Sequence, residues 1–343
     1  MNNNKNRWKV LFFGTDEFAL ESLKCLHKEY KSMRLLERLE TVTAYNGHEN
    51  NVLKYAKDQQ IKIHSWPLDK NIIIDFDIGI VVSFGHLIPS WMIQSFPLGM
   101  INVHASLLPK WRGAAPIIHS LMNGDNETGV TIMKIMPKKF DVGEILDQQK
   151  VIISPDETHP ELYSRLANTG GQLLIKSIEK LPNLIYSGRK QCDTQATYAP
   201  KINKNISFVR WTEMTAQQVY NLQRSLIGIY PLTTVFNNQI VKIFGIKIHN
   251  DSPSCNENLE ASSPGAIIYD CKNNVLLVKC HDNKWVSIEE ITIPNHRKMN
   301  ANDFNNGFLK SNNNNNNQNN KFFKSIHHHD HDDFVKIKDK YII

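Results

Sequence analysis

The sequence predicts an α/β fold: a Rossmann-like, doubly wound, mostly parallel sheet, followed by a small OB-like β-barrel domain. Two observations carry this. Over residues 8–179, short apolar runs alternate with amphipathic helical stretches, the pattern of βαβ units that build a parallel sheet. Beyond residue 181 the texture changes to about five short strand-like runs, some separated by turn dipeptides such as Asn237-Asn238 and Asn273-Asn274, as a small barrel requires. A length of 343 residues suits two domains, and 41% hydrophobic residues is enough to give each a core.

Each element has its own warrant. Residues 8–13 (WKVLFF) are a buried-type strand running into the Gly14-Thr15-Asp16 turn. From 17 to about 39, Phe18, Leu23, Leu26, Tyr30 and Met33 recur at three- to five-residue spacing, predicting a helix. Strand, glycine turn and helix open a βαβ unit. A second strand is expected over 40–44, a helix over 51–59 and a third strand over 61–65. DIGIVVS at 77–83 is an unbroken apolar run, as a strand covered on both faces needs. Strands follow over 100–104, 129–135 and 145–153, then an amphipathic helix over 159–179. In the second half a helix is expected over 215–225, with strands over 233–236, 240–248, 265–269, 275–279 and 284–288. The expected divisions are a first domain over 1–190, a linker over 191–206, a second domain over 207–310, and an Asn-rich disordered segment with a charged tail over 311–343.

Composition narrows the class. A net charge of +6 is a mild excess, compatible with a polyanionic partner and equally with solvated lysines. The five cysteines are scattered and include no CxxC, which points to a reducing compartment and no disulfide framework. No metal site is expected: Cys271, Cys280 and His281 lack a fourth ligand at suitable spacing, and the His/Asp cluster at 327–333 sits in a tail away from any chemistry. No run is long enough to cross a membrane, and the residues before the first strand lack the apolar core of a secretory signal.

The chemistry concentrates in INVHASLLPKWRGAAP, residues 101–116. Asn102 and His104 are two apart on a strand, so they project from one face, an amide beside an imidazole. Asp141, in FDVGEIL, follows the next strand; if the two strands are neighbours, its turn shares the carboxyl edge with His104. The three would suit transfer of a formyl or acyl carbon to an amine. Asn102 and protonated His104 would donate to the oxyanion, while Asp141 favours the charged imidazole and accepts a proton from the amine. Singly, each has a bland structural role available; together with the loop that follows, the catalytic reading is the better one.

These residues, with GDNETGVTIM and FDVGEIL, closely resemble the formyltransferase family that uses 10-formyltetrahydrofolate. KWRGAAPI looks like its methionyl-tRNA formyltransferase branch. The likeness extends through VLFFGTDEFAL, VVSFGHLIP, YAPKI, SPGAIIY and MNANDFNNGFL, from about Lys9 to Leu309. It implies catalytic Asn102, His104 and Asp141, a folate-binding segment at Ser106, Leu107, Leu108 and Pro109, and no metal. It also implies 10-formyltetrahydrofolate as co-substrate, initiator methionyl-tRNA as acceptor, a C-terminal barrel that helps hold the tRNA, and a monomer. Since this activity outside bacteria belongs to organelles, and the Asn run looks eukaryotic, the mitochondrial matrix is expected rather than the cytoplasm.

Two departures stand out. Bacterial members carry Pro in the GTP-x-F turn where this chain has Asp16, which a helix N-terminus accepts. Where the family often has a long basic loop after the second strand, residues 44–51 are short and charged only at Glu49. Candidate phosphate contacts are therefore Lys110, Arg112, Lys201, Lys204 and Arg224, with Lys242, Lys247, Arg297 and Lys298 on the barrel. The alternatives are a formyltransferase acting on an amino-sugar nucleotide and a non-catalytic RNA-binding relative.

Overall fold

The structure is a computed structural model that describes residues 7–44, 47–250, 263–310 and 322–325. The Asn run at 312–317, Cys255 and the His/Asp cluster lie outside the described residues. The chain divides into two compact units, Met1–Ser120 with Asp125–Lys201, and Leu121–Gly124 with Ile202–Ile343.

The first unit is built from β1 (Trp8–Gly14), α1 (Glu17–Lys31), β2 (Leu36–Thr43), α2 (Asn51–Asp58), β3 (Lys62–Ser65), β4 (Ile78–Val82), α3 (Ser90–Ser95), β5 (Met100–His104), α4 (Pro116–Met122), β6 (Glu127–Lys134), β7 (Ile145–Ile152), α5 (His159–Glu179) and α6 (Asn183–Tyr186). One seven-stranded sheet runs β3-β2-β1-β4-β5-β6-β7. The five strands from β3 to β5 are parallel, whereas β6 and β7 are antiparallel to their neighbours. Val10 to Phe13 and Ile78 to Val82 are all buried, because both faces of the central strands are covered. The strand order reverses between β1 and β4, so that edge is the topological switch point.

The first helix is shorter than its periodicity predicts. It ends at Lys31, and Met33 takes a left-handed backbone (φ 52) that turns the chain into β2. Leu36 and Leu39, within the span expected to be helical, are buried strand residues, and Leu36 pairs with Trp8. Pairing with β1 overrides local propensity here. Asp16 lies one position before the helix: it is the N-cap, with Oδ1 accepting from Ala19 N at 2.9 Å.

The second unit contains α7 (Ala216–Leu226) and the strands β8 (Leu232–Phe236), β9 (Gln239–Phe244), β10 (Lys247–His249), β11 (Ile267–Asp270), β12 (Val275–Lys279), β13 (Trp285–Ile288), β14 (Glu290–Thr292) and β15 (Met299–Asn300). Two four-stranded antiparallel sheets result, β10-β13-β12-β11 and β15-β14-β9-β8. The described residues thus hold eight strands in place of the five expected. Two expected strands bend and change sheet: 240–248 breaks at Gly245 (φ 66), and the run from 284 breaks at Glu289. The corners meet, with Glu289 N donating to Phe244 O at 3.1 Å. Strands that switch sheets at bends are how small orthogonal β domains close. The tail also differs from expectation. Phe322 bridges Ala266, and Phe323 is 2% exposed, stacked on the buried Trp211 ring at 6.0 Å.

Candidate active site

The loop after β5 turns back so that His104 meets its own backbone. The Trp111 carbonyl accepts from His104 Nε2 at 2.9 Å, which leaves Nδ1 facing Asp141 Oδ1 at 3.7 Å. His104 is 6% exposed. Asn102 lies on the same face of β5, partly buried, and its side-chain amide bonds to no other described residue. Asn102, His104 and Asp141 are thus brought to one face of the sheet, but not by the expected route. β6 is a neighbour of β5 yet antiparallel to it, so Ile101 faces Lys134 and the turn after β6 leaves beside the amino end of β5. Asp141 belongs to the β6–β7 hairpin loop, which folds back over the sheet face to reach His104.

That return is held from several sides. Gly113 N donates to Asp141 Oδ2 at 2.9 Å, and Gln191 Nε2 donates to the carbonyls of Asp141 and Gly143 at 2.9 and 2.8 Å. Asp141 itself has a left-handed backbone (φ 54), tolerable for a short polar side chain and held by these bonds. Trp111 (φ 62) is pinned through its indole, which donates to Asp125 Oδ2 at 2.7 Å and lies 5.6 Å from the His119 ring. Burial lowers His119 below the ordinary histidine value against the bond it gives Pro200 O, so this ring is neutral near pH 7.

The segment expected to be a crossing linker is part of this clamp. Arg112 N donates to Thr197 O, Ala199 N to Arg112 O, and Trp111 N to Thr197 Oγ1, at 2.9, 2.7 and 2.9 Å. Gly113 must be glycine: its φ is +128, and a Cβ there would lie 2.5 Å from Ala199 O.

The structure revises several roles. Arg112 is not a surface phosphate contact, being 5% exposed with its guanidinium bonded to Gln191 Oε1 at 3.0 Å and Asp193 Oδ1 at 2.8 Å. Arg224 is likewise buried, its Nε donating to Asn221 Oδ1. In both, burial puts the charge out of reach of solvent. Lys110 is exposed but paired with Asp125 at 2.8 Å, while Lys201 and Lys204 are exposed. Lys242 and Arg297 are exposed; Lys247 and Lys298 are exposed but paired with Glu289 and Glu290. In the SLLP segment, the Ser106 hydroxyl is buried and donates to Lys110 O at 2.6 Å, and Leu108 uses its N–H on Thr131 Oγ1 and its carbonyl on Gln148. Ser106 and Leu108 therefore shape the loop, leaving half-buried Leu107 and Pro109 nearer its surface.

Sequence reasoning missed the supports. At the switch point Asp16 is half-buried, and the loss of solvent pushes its carboxyl up against bonds from Ala19, Tyr163 and Ser83 that lower it. Thr15 Oγ1 donates to Ser83 O at 2.8 Å, tying the ends of β1 and β4 together. Gln191, Asp193 and Asp125 were legible only as polar loop residues. Among the described residues no group of His, Cys, Asp and Glu side chains is placed to hold a metal ion, and no helix is long and apolar enough to cross a membrane.

Known proteins match this chain along most of its length. The formyl transferase family matches residues 69–178, and the formyl transferase C-terminal domain matches 201–309. The mitochondrial methionyl-tRNA formyltransferase of Homo sapiens is 40% identical over 311 residues, covering 89% of this chain and 79% of that protein. The methionyl-tRNA formyltransferase of Fusobacterium nucleatum is 30% identical over 315 residues, 88% of this chain and 98% of that protein. Among solved structures, a sugar 3N-formyl transferase crystallised with dTDP and 5-N-formyl-THF superposes with a TM-score of 0.62 at 22% identity, over 84% of this chain and 99% of that one, a likeness of fold. On these matches across both units, the chain belongs to the methionyl-tRNA formyltransferase family.

Proposed function

We propose that this chain transfers the formyl group of 10-formyltetrahydrofolate to the free amino group of initiator methionyl-tRNA, giving formylmethionyl-tRNA for translation initiation. The observation that carries the mechanism is His104, hung by Nε2–H from the Trp111 carbonyl with Nδ1 turned to Asp141 at 3.7 Å. Nδ1 is then the working nitrogen. The acceptor's neutral amine adds to the formyl carbon, and the carbonyl electron pair moves to oxygen. The Asn102 amide and the protonated Nδ1 of His104 donate to that oxyanion. Asp141 takes the proton the attacking nitrogen sheds; the oxyanion pair then re-forms the carbonyl, the bond to the folate nitrogen breaks, and that nitrogen leaves with the proton Asp141 returns. The formyl donor brings an activated carbon, so the protein supplies orientation and electrostatics. At 3.7 Å the gap between Nδ1 and Asp141 is too long for a hydrogen bond, so Asp141 acts on the ring through its charge and the Nδ1–H stays available to the oxyanion.

The mitochondrial matrix is the proposed compartment, supported by mitochondrial relatives from human, rat, cow and mouse at 38–40% identity. The test is direct: incubate the protein with formyl-labelled donor and methionyl-tRNA, an amino-sugar nucleotide, or water alone. Label entering only the tRNA is expected. Label moving to the sugar, or to free formate, sinks the assignment.

A further inference from the structure

The hairpin loop that carries Asp141 bears a second set of groups that the chemical step does not use. Its base is fixed: Lys134 N donates to Glu144 O at 2.9 Å, and the two side chains pair at 2.7 Å. Its returning limb is fixed at Asp141 and Gly143 by the bonds from Gly113 and Gln191. Between these anchors Met136, Lys138, Lys139 and Phe140 are exposed, Phe140 at 65%. Lys138 has a left-handed backbone (φ 63), a conformation that persists only where the surroundings hold it. Neither lysine pairs with a carboxylate among the described residues. Most other cations of this unit do: Lys110 with Asp125, Arg112 with Asp193, Lys134 with Glu144, Lys150 with Glu127 and Lys180 with Asp147. The tip is therefore uncompensated positive charge beside a bare aromatic ring, on a stalk rooted at the reaction centre.

We propose that Lys138, Lys139 and Phe140 grip the single-stranded 3′ end of the aminoacyl-tRNA, the lysines on its phosphates and Phe140 under one of its bases. This rests on the reading of methionyl-tRNA as acceptor. Lysines lining a path with an aromatic to stack on is how proteins hold single-stranded nucleic acid without reading sequence. The reach fits. Lys138 stands three positions before Asp141, a span of at most about 11 Å, so the ammonium groups fall beside the last few nucleotides when the aminoacyl group is at His104. The tip also supplies charge that the loop over 44–51 does not, since that loop has no lysine or arginine and its Glu49 is paired with Lys57.

The experiment compares the full-length wild type with K138A/K139A, K138R/K139R and F140A. Formylation of methionyl-tRNA is followed over a series of salt concentrations, with KM for the formyl donor measured in parallel. In K138A/K139A, KM for methionyl-tRNA rises tenfold or more while donor KM stays unchanged. The plot of log kcat/KM against log salt flattens by about 1.4, since each single-strand phosphate that a lysine no longer neutralises takes ~0.7 off the slope. K138R/K139R restores both values. F140A raises KM about fivefold or more without altering the salt slope. A wild type active on methionyl-tRNA whose alanine variants match it in KM and slope overturns the proposal, as does an effect confined to donor KM. A wild type inactive on methionyl-tRNA but active on another amine overturns the underlying assignment instead.

Discussion

At the scale of single residues, His104 is worth more than its place in the motif indicates, because its two nitrogens have separate tasks. Nε2 is anchored on the Trp111 carbonyl, and Trp111 is in turn held by Asp125. On the proposed mechanism, removing the ring removes a hydrogen-bond donor to the oxyanion, while Trp111 stays held by Asp125. His104→Ala therefore lowers kcat by about 10²–10⁴-fold with little change in donor KM, read from steady-state formylation. Rates within threefold of wild type would eliminate His104 from the chemistry. Gly113 carries a different load: its N–H holds Asp141, and its φ excludes side chains. Gly113→Ala forces a Cβ against Ala199 O, so the loop shifts, kcat falls, and stability drops by roughly 1–3 kcal/mol in urea unfolding. An alanine variant as stable and active as wild type would mean that the clamp does not depend on Gly113.

Among elements, the sheet's outer strands carry a buried ion network. Glu40 on β2 is 6% exposed and meets Arg38 Nε at 2.7 Å and His64 Nε2 at 2.5 Å, with Lys62 at 3.5 Å. Burial pushes the Glu40 carboxyl up, but the bonds from Arg38 and His64 and the charges of Arg38 and Lys62 outweigh it, so its value falls below the ordinary 4.5. A carboxylate with a depressed folded-state pKa stabilises the fold fully above its unfolded value. That stabilisation is lost as pH falls from about 4.5 through the folded value. Glu40→Gln should be less stable at pH 7 and should lose less further stability between pH 5 and 3.5, as urea midpoints will show. An unchanged acid-side slope would mean the network does not hold β2 to β3. The antiparallel turn of β6 is the other decisive element: it places the Asp141 loop over the sheet face rather than at its carboxyl tip.

For the molecule as a whole, the second unit is completed from beyond the span that family likeness covers. Phe323 packs with Trp211, Phe236 and Phe304, rings 5.9 to 6.5 Å away. Phe323→Ala leaves a cavity among them and costs about 3–5 kcal/mol. The measurement is chemical denaturation of the full-length chain, and a loss under ~1 kcal/mol would show that the ring is not part of this core.

Much of the molecule is legible in its sequence, and what is not has a common cause. Sequence alone determined the alternation of strands and helices, with α5 matching over 159–179, because those segments pack by periodicity. It also determined the family and the Asn102–His104 pair, because residues two apart on a strand share a face whatever surrounds them. Only the tertiary structure decided that α1 stops at Lys31, that two strands switch sheets at Gly245 and Glu289, and that Arg112 and Arg224 are buried supports. It alone showed that Asp141 arrives by a returning hairpin and that Lys138, Lys139 and Phe140 stand bare beside it. Each of these depends on what a segment meets far along the chain, through pairing, burial or a carbonyl in the way, and no local pattern records that. The grip proposed for the acceptor thus falls on the same hairpin that brings Asp141 to His104.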